Sequence, residues 1–158
     1  MQLEGSCSCG AVRFSLESRE PVPYQRCYCS ICRKAGGAGG YAINLGGDAA
    51  TLVVEGREHT RVYRAMVEHD GQRVQSRHER HFCGLCGSHL WAYNDRWPEL
   101  VHPVAGAIDT PLPVPPERTH LMLGSKASWI EPDLAPGDRC FDGYPDRSLA
   151  TWHREHGW

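Results

Sequence analysis

The cysteines constrain this chain more than any other feature of its sequence. Seven of the eight lie in three short groups, Cys7-Ser8-Cys9, Cys27-Tyr28-Cys29-Ser30-Ile31-Cys32 and Cys83-Gly84-Leu85-Cys86. The first residues contain no basic segment followed by an apolar one, so no signal peptide is predicted. We therefore expect a cytoplasmic, reducing compartment, where grouped cysteines indicate metal binding or catalysis rather than disulfides.

Two of the groups each offer half of a closed metal site. Side chains on a strand alternate with a period of two, so the spacing is expected to point the sulfurs of Cys7 and Cys9 to one side. The two residues between Cys83 and Cys86 let both thiolates of a tight turn reach one metal. Together the pairs would make a four-cysteine site of the structural type, and metal binding there would stabilise the fold directly.

The third group, Cys27, Cys29 and Cys32, places three sulfurs within six residues, and no further ligand follows at suitable spacing. Three protein ligands and one open position are typical of a catalytic zinc, and soft thiolates favour zinc among the metals. The spacing alone does not fix how the seven cysteines divide. Four plus three is the simplest division that gives each group an intact role, and it predicts two metal sites.

Other interpretations of the cysteines remain open. A CxxC pair could be a redox centre, although no thioredoxin-like βαβ pattern lies near it. Thiolates could also hold an iron–sulfur cluster, although these spacings differ from those of ferredoxins. Cys140 stands alone in the sequence, and we interpret it as a small buried hydrophobic residue.

The histidines are numerous but less informative. The stretch from His78 to His81, which is interleaved with arginine, is interpreted as the solvated face of a strand. His89 and Trp91 follow the last cysteine pair closely enough to pack around a metal site, or they could be ordinary strand residues.

Hydrophobic patterning predicts many short strands. Val12, Phe14 and Leu16 alternate with polar residues, which is typical of a half-buried strand. The chain contains 17 glycines and 11 prolines, which favour turns over long helices. Further strands are expected at 41–45, 50–55, 61–67, 73–82, 89–93, 101–108 and 120–123.

One helix is predicted, at the C-terminus. Asp146 is expected to cap it, Leu149 and Trp152 share one face, and Gly157 can end it. The chain has no repeat and no long linker, so we expect a single, mainly β domain over residues 1–158.

Composition argues against two classes of partner. Asp and Glu outnumber Lys and Arg by 19 to 17, and the basic stretch 73–81 is not interleaved with aromatic residues, so nucleic acid is not an expected partner. No apolar run is long enough to cross a bilayer, so no membrane partner is expected. A homodimer is the default expectation for the assembly.

Three strings together resemble one family, the glutathione-dependent formaldehyde-activating enzymes, which includes the centromere protein V-type domain. They are Gly5-Ser6-Cys7-Ser8-Cys9-Gly10, Cys27-Tyr28-Cys29-Ser30-Ile31-Cys32-Arg33-Lys34 and His81-Phe82-Cys83-Gly84-Leu85-Cys86-Gly87-Ser88. The similarity extends over a zinc-binding core at about 5–129. We call the remainder, at about 130–158, the C-terminal extension, and its helical end resembles that of many bacterial members.

The resemblance implies an Mss4-like fold of small antiparallel sheets with a short C-terminal helix. It implies a structural zinc on Cys7, Cys9, Cys83 and Cys86. It also implies a second, more labile zinc of the catalytic type on Cys27, Cys29 and Cys32. The sequence departs from the commonest family pattern at Tyr28, where many members have histidine.

The implied activity is condensation of glutathione with formaldehyde to S-hydroxymethylglutathione, a carbon–sulfur lyase reaction. The expected partners are therefore a small-molecule thiol and an aldehyde. Three thiolates on Zn²⁺ leave a net charge of −1, which Arg33 and Lys34 could offset while attracting the carboxylates of a glutathione-like molecule. These two residues could equally be solvated surface cations. The alternative function is a non-catalytic binding or scaffold module whose zinc sites only hold the fold.

Overall fold

Short strands dominate the computed structural model, which describes residues 1–19 and 21–157. In chain order the strands are β1 (Gln2–Ser6), β2 (Arg13–Glu17), β3 (Tyr24–Cys27), β4 (Ala42–Asn44), β5 (Gly47–Asp48), β6 (Val53–Glu55), β7 (Thr60–His69), β8 (Gln72–Cys83), β9 (His89–Tyr93), β10 (Leu100–Pro103), β11 (Arg118–Leu121) and β12 (Arg139–Cys140). The α-helices are α1 (Ser30–Gly36) and α2 (Leu149–Glu155). The predicted mainly β class with a short C-terminal helix is confirmed. Over the described ranges, no helix is both long and apolar enough to cross a membrane.

The first sheet is antiparallel, with strand order β1-β2-β6. The alternation predicted for β2 is confirmed, because Phe14 and Leu16 are buried while the strand's other residues are not. Leu16 lies opposite Leu3, and Phe14 lies opposite Gly5. A Cβ on Gly5 would come within 2.4 Å of the Phe14 ring, so only glycine leaves room for this ring in the core.

The second sheet is also antiparallel, with strand order β5-β10-β9-β8-β7. Its strands β7 and β8 form a long hairpin, and the turn residues Asp70 and Gly71 have φ values of 51° and 73°. Two successive residues at positive φ are typical of the turns that match the twist of a hairpin. Trp91 of β9 meets Phe14 edge-on, with 5.2 Å between ring centroids, and this contact joins the first two sheets in one core.

The third sheet has strand order β12-β11-β3-β4 and is mixed. β3 pairs with β4 in antiparallel fashion, whereas β11 is parallel to both β3 and β12. The parallel pairs add to the expected antiparallel sheets. They place Leu121 opposite Cys27 and bring β12, from the C-terminal extension, beside the core of the sheet.

Three predicted strands are shorter than expected. Short 3₁₀ turns replace parts of 50–55, 101–108 and 120–123, at Ala49–Thr51, Ala105–Ala107 and Leu123–Ser125. The first of these turns is capped by Asp48, whose carboxylate accepts from the N–H of Ala50 at 2.9 Å. Side-chain capping therefore outweighs the strand preference of that segment.

The two helices differ from the prediction in separate ways. α1 was not predicted, because seven residues are too few to show a helical period and a cysteine caps it. α2 is confirmed, but its cap is Ser148, which accepts from the N–H of Thr151 at 3.1 Å. Asp146 instead lies 3.6 Å from the guanidinium of Arg139. The prediction of a buried Cys140 is also wrong, since this residue is exposed on β12.

Candidate metal centres

The sulfurs of Cys7, Cys9, Cys83 and Cys86 lie within 4.8 Å of one another and form the four-cysteine cluster. The Sγ atom of Cys9 is 3.5 Å from that of Cys7 and 3.8 Å from that of Cys83. Zinc–sulfur bonds of about 2.3 Å in a tetrahedron place sulfurs about 3.8 Å apart. None of these cysteines forms a disulfide. The cluster therefore fits a tetrahedral metal ion such as zinc.

Two turns build this cluster. Cys7 to Cys9 do not continue β1 as predicted, because the chain turns there and the N–H of Gly10 donates to the carbonyl of Cys7 at 2.9 Å. The turn, not strand alternation, brings the two sulfurs together. At the other turn, the N–H of Gly87 donates to the carbonyl of Cys83 at 2.8 Å, and Gly87 has a φ of 77°, which favours glycine.

The four-cysteine cluster joins the core to the surface. Cys7 and Cys83 are buried among the core residues, whereas Cys9 and Cys86 are exposed. The Sγ atom of Cys7 accepts from the N–H of Val12 at 3.2 Å. The hydrogen bond with Ser88 lowers the pKa of Cys86 to about 5. A metal here would tie the end of the first sheet to the end of β8.

The sulfurs of Cys27, Cys29 and Cys32 also lie within 4.8 Å of one another and form the three-cysteine cluster. Cys27 ends β3, and Cys29 is the N-cap of α1. The Sγ atom of Cys29 accepts from the N–H of Cys32 at 3.3 Å, as a serine cap would. A strand end and a helix start thus bring all three sulfurs together locally.

The charges of the three sulfurs depend on one another. Hydrogen bonds with Cys27 and Cys32 lower the pKa of Cys29 to about 2. Hydrogen bonding to Cys29 raises the pKa of Cys27 far above its usual range, and the pKa of Cys32 is raised as well. One sulfur can therefore ionise readily, but three thiolates together require a cation. The three-cysteine cluster could hold a metal ion with one position left open.

The side chain of Arg80 lies against this cluster. Its side chain on β8 is only 6% exposed, and Nη2 lies 3.9 Å from the Sγ atom of Cys32. Its Nη1 has no hydrogen-bond partner, and within 1–19 and 21–157 no carboxylate lies within ion-pair distance of it. Because a buried charge needs a counter-charge, the anionic sulfurs are its natural partners.

The solvated-face interpretation of 78–81 is therefore wrong. Burial, together with the charge of Arg80, lowers the pKa of His78 to about 4. His81 is half-buried, stacks on Trp91 at 5.0 Å between ring centroids and lies 3.1 Å from Glu79. A single sequence carries no signal that distinguishes a buried strand arginine from a solvated one. The sequence therefore points to Arg33 and Lys34, and not to Arg80, as the counter-charges of the cluster.

The other expected site residues lie around the two clusters. Arg33 is half-buried in the last turn of α1, where Nη1 donates to the carbonyl of Ser125 at 2.9 Å, while Lys34 is exposed. Their ligand-binding role stays a prediction. His89 is buried, lines a groove of about 420 Å³ that also contacts Cys7 and Gly36, and has its pKa lowered to about 4 by burial and by Arg80. His89 shares this groove with Cys7 of the four-cysteine cluster, and its packing around a metal stays a prediction.

Fold and clusters define a β-sheet protein with two thiolate sites of the kind that bind metal. The family model described as glutathione-dependent formaldehyde-activating enzyme matches residues 2–124, and the chain belongs to that family. A relative from Halomonas elongata, provisionally named a glutathione-dependent formaldehyde-activating enzyme, is 61% identical over 99% of this chain and 98% of its own length.

A solved structure is similar as well. The crystal structure of a Rhodobacter sphaeroides protein, a Northeast Structural Genomics target, aligns with a TM-score of 0.54 and 25% identity. The alignment covers 72% of this chain and 92% of that one. The expected family and fold class are therefore confirmed.

Proposed function

We propose that this protein is a zinc-dependent enzyme that adds a thiol such as glutathione to formaldehyde or a related small aldehyde. The reaction is of the carbon–sulfur lyase type, as in S-(hydroxymethyl)glutathione synthesis. The observation that carries the proposal is the separation of the seven sulfurs into a closed set of four and an open set of three. Family membership and the name of the Halomonas relative supply the substrates.

The chemistry is an addition that needs no oxidant or reductant. The thiol sulfur attacks the carbonyl carbon, so one carbon–sulfur bond forms. The π electrons of the carbonyl move to its oxygen, and the proton of the thiol ends on that oxygen. The product is an S-hydroxymethyl thioether. Bringing both reactants to one site accelerates such a step through proximity.

Each cluster has its own task in the proposal. Cys7, Cys9, Cys83 and Cys86 would hold a structural zinc, and Cys27, Cys29 and Cys32 a more labile zinc of the catalytic type. Zinc in the open site would supply Lewis acidity and lower the pKa of a thiol. Arg80 would offset the net charge of −1 from its position beside Cys32. Arg33 and Lys34 would receive the carboxylates of the thiol substrate.

The variant Cys29→Ser tests this division sharply. Serine keeps the N-cap of α1 while it removes one sulfur from the three-cysteine cluster. Turnover of glutathione and formaldehyde, measured above the spontaneous addition, should fall by at least roughly 100-fold. Zinc content should fall by about one equivalent per chain, since a three-ligand site tolerates little loss. The matched control is Cys140→Ser, which changes an exposed cysteine outside both clusters.

The opposite outcome would favour a different function. If Cys29→Ser kept its second metal and full turnover, the catalytic assignment of the three-cysteine cluster would be wrong. If, in addition, both metals resisted chelation equally and glutathione perturbed neither site, the protein would be a zinc-stabilised binding module.

A further inference from the structure

Tyr28 lies between two sulfurs of the three-cysteine cluster, yet its side chain points away from solvent. Its exposed fraction is 0%, and its hydroxyl lies 2.8 Å from Nδ1 of His120. The two rings stack with 5.7 Å between centroids. The N–H of Tyr28 also donates to the carbonyl of Leu121 at 3.0 Å. Both the backbone and the side chain of this residue are therefore tied to β11.

His120 also contacts the C-terminal extension, through Asp138. Its side chain is fully buried, and Nε2 lies 3.1 Å from Oδ2 of Asp138. Asp138 is held in turn by Arg118, whose Nη2 is 2.6 Å from Oδ2. The N–H groups of Arg118 and Ala135 also donate to this carboxylate, each at 2.9 Å. The carboxylate is thus fixed from several sides.

Charge gives this chain of hydrogen bonds a single direction. Burial opposes ionisation of Asp138, but the bonds from Arg118 and the backbone hold its pKa well below the usual range. An ionised carboxylate only accepts, so Nε2 of His120 must carry the proton. Burial lowers the pKa of His120, which favours the neutral ring, so its Nδ1 accepts from the hydroxyl of Tyr28. Each group has one role, so each ring has one favoured orientation.

We propose that Tyr28, His120 and Asp138 form a positioning chain that holds the three-cysteine cluster in its metal-binding geometry. The inference rests on the proposed metal role of that cluster but not on the substrate. Cys27 and Cys29 are the two neighbours of Tyr28 along the chain. Fixing Tyr28 at its hydroxyl and its N–H therefore limits the motion of both sulfurs, which lowers the entropy lost when they bind a metal.

A merely structural role makes a different prediction from a positioning role. Loss of a core hydrogen bond would lower the stability of the whole fold and leave metal retention at either cluster unchanged. Loss of a positioning bond should release metal from the three-cysteine cluster alone. The four-cysteine cluster of the same molecule is thus an internal control, since the side-chain hydrogen bonds of its cysteines, within the residues that the structure describes, involve none of Tyr28, His120 and Asp138.

The decisive variant is Tyr28→Phe, which removes only the hydroxyl. The matched control is Tyr24→Phe on β3, where the hydroxyl donates to the carbonyl of Pro113 outside both clusters. The dissociation constant of zinc at each cluster would be measured by competition with a graded series of chelators, and its release rate by trapping the freed ion. Tyr28→Phe should weaken binding at the three-cysteine cluster by about 10–100-fold, while the four-cysteine cluster and Tyr24→Phe stay within twofold of wild type.

A double-variant cycle then tests the chain itself. Asp138→Asn should weaken zinc binding at the three-cysteine cluster of the wild type but add little in the Tyr28→Phe background. The inference is overturned if Tyr28→Phe retains zinc within twofold of wild type, or if both clusters weaken equally. Selective zinc loss without any thiol–aldehyde turnover in the wild type would uphold the positioning chain and refute the proposed reaction.

Discussion

The two cysteine clusters use the same ligand for opposite kinds of architecture. The four-cysteine cluster joins turns far apart along the chain, since Cys9 and Cys83 are 74 positions apart. The three-cysteine cluster is local, spanning one strand end and one short helix. The first has two exposed sulfurs, whereas the second lies beside a buried guanidinium. The comparison teaches that ligand type alone does not set the role proposed for a cluster. A metal on ligands far apart in the sequence would hold distant parts of the fold together, whereas a metal on a local set of ligands would not.

The largest expected effect is on folding, from Cys83→Ser. Cys83 is fully buried, so this change would remove one ligand of the proposed structural zinc and leave a buried hydroxyl in its place. The free energy of unfolding should fall by roughly 5 kcal/mol, because metal binding at a structural site is folding energy. Denaturant unfolding would measure it. Cys29→Ser should lower the free energy of unfolding by no more than about 1 kcal/mol. Equal losses in the two variants would contradict the different roles proposed for the two clusters.

A smaller effect on the free energy of unfolding is expected at acidic pH, through His89. Its folded pKa is about 4, against 6.5 in the unfolded chain, chiefly because it is buried. Between these values only the unfolded chain takes up the proton, so stability falls as pH drops from 6.5 towards 4. His89→Leu should remove up to about 3 kcal/mol of that decline.

Denaturant unfolding at several pH values would test this expectation. His69→Leu is the control, because His69 is exposed at the end of β7. Identical pH profiles for the wild type and His89→Leu would contradict it. A selective change would show that the stability of the fold depends on the buried His89 ring remaining uncharged.

The smallest expected effect concerns the charge beside the open cluster. A substrate thiolate bound to Zn²⁺ together with three cysteine thiolates makes the net charge −2. The positive charge of Arg80 should offset the repulsion between these thiolates. Arg80→Met should weaken glutathione binding to the cobalt-substituted protein about tenfold, or ~1.4 kcal/mol, and Arg80→Lys should restore part of it.

Titration of the thiolate-to-cobalt absorption band would measure this affinity. The control is Arg77→Met, because Arg77 lies on the same strand but pairs with Asp95 at the surface. Unchanged thiol affinity in Arg80→Met would mean that the guanidinium does not act as the counter-charge of the three-cysteine cluster.

The sequence predicts the ligand groups and most of the strands. Cysteine spacing is a local feature, so the CxC, CxxC and CxCxxC patterns identify the three groups. The four-plus-three arrangement in the structure is the simplest division that these groups allow. The alternation around Phe14 and Leu16 likewise matches the burial pattern of β2, because only one face of the sheet is buried. Shared motifs add the family and with it the fold class.

What the sequence does not predict arises from distant parts of the chain. Arg80 looks like any strand arginine, and only the placement of β8 against α1 buries it beside Cys32. The link from Tyr28 to His120 joins residues 92 positions apart, and parallel pairing of β3 with β11 creates it. The N-cap at Cys29 was missed because cysteine is not among the usual capping residues.

The place of β11 between β3 and β12 also predicts the order in which the two cysteine clusters are completed during synthesis. A nascent chain can bring its first and last cysteine pairs together once Cys86 has left the ribosome. Leu121, which is the β11 neighbour of Cys27, and the carboxylate of Asp138 emerge only later, so the three-cysteine cluster gains this part of its support last. A truncated or stalled product should therefore form the four-cysteine cluster but lack part of the support for the three-cysteine cluster. Such an order would delay completion of the site proposed for catalysis until the chain is finished.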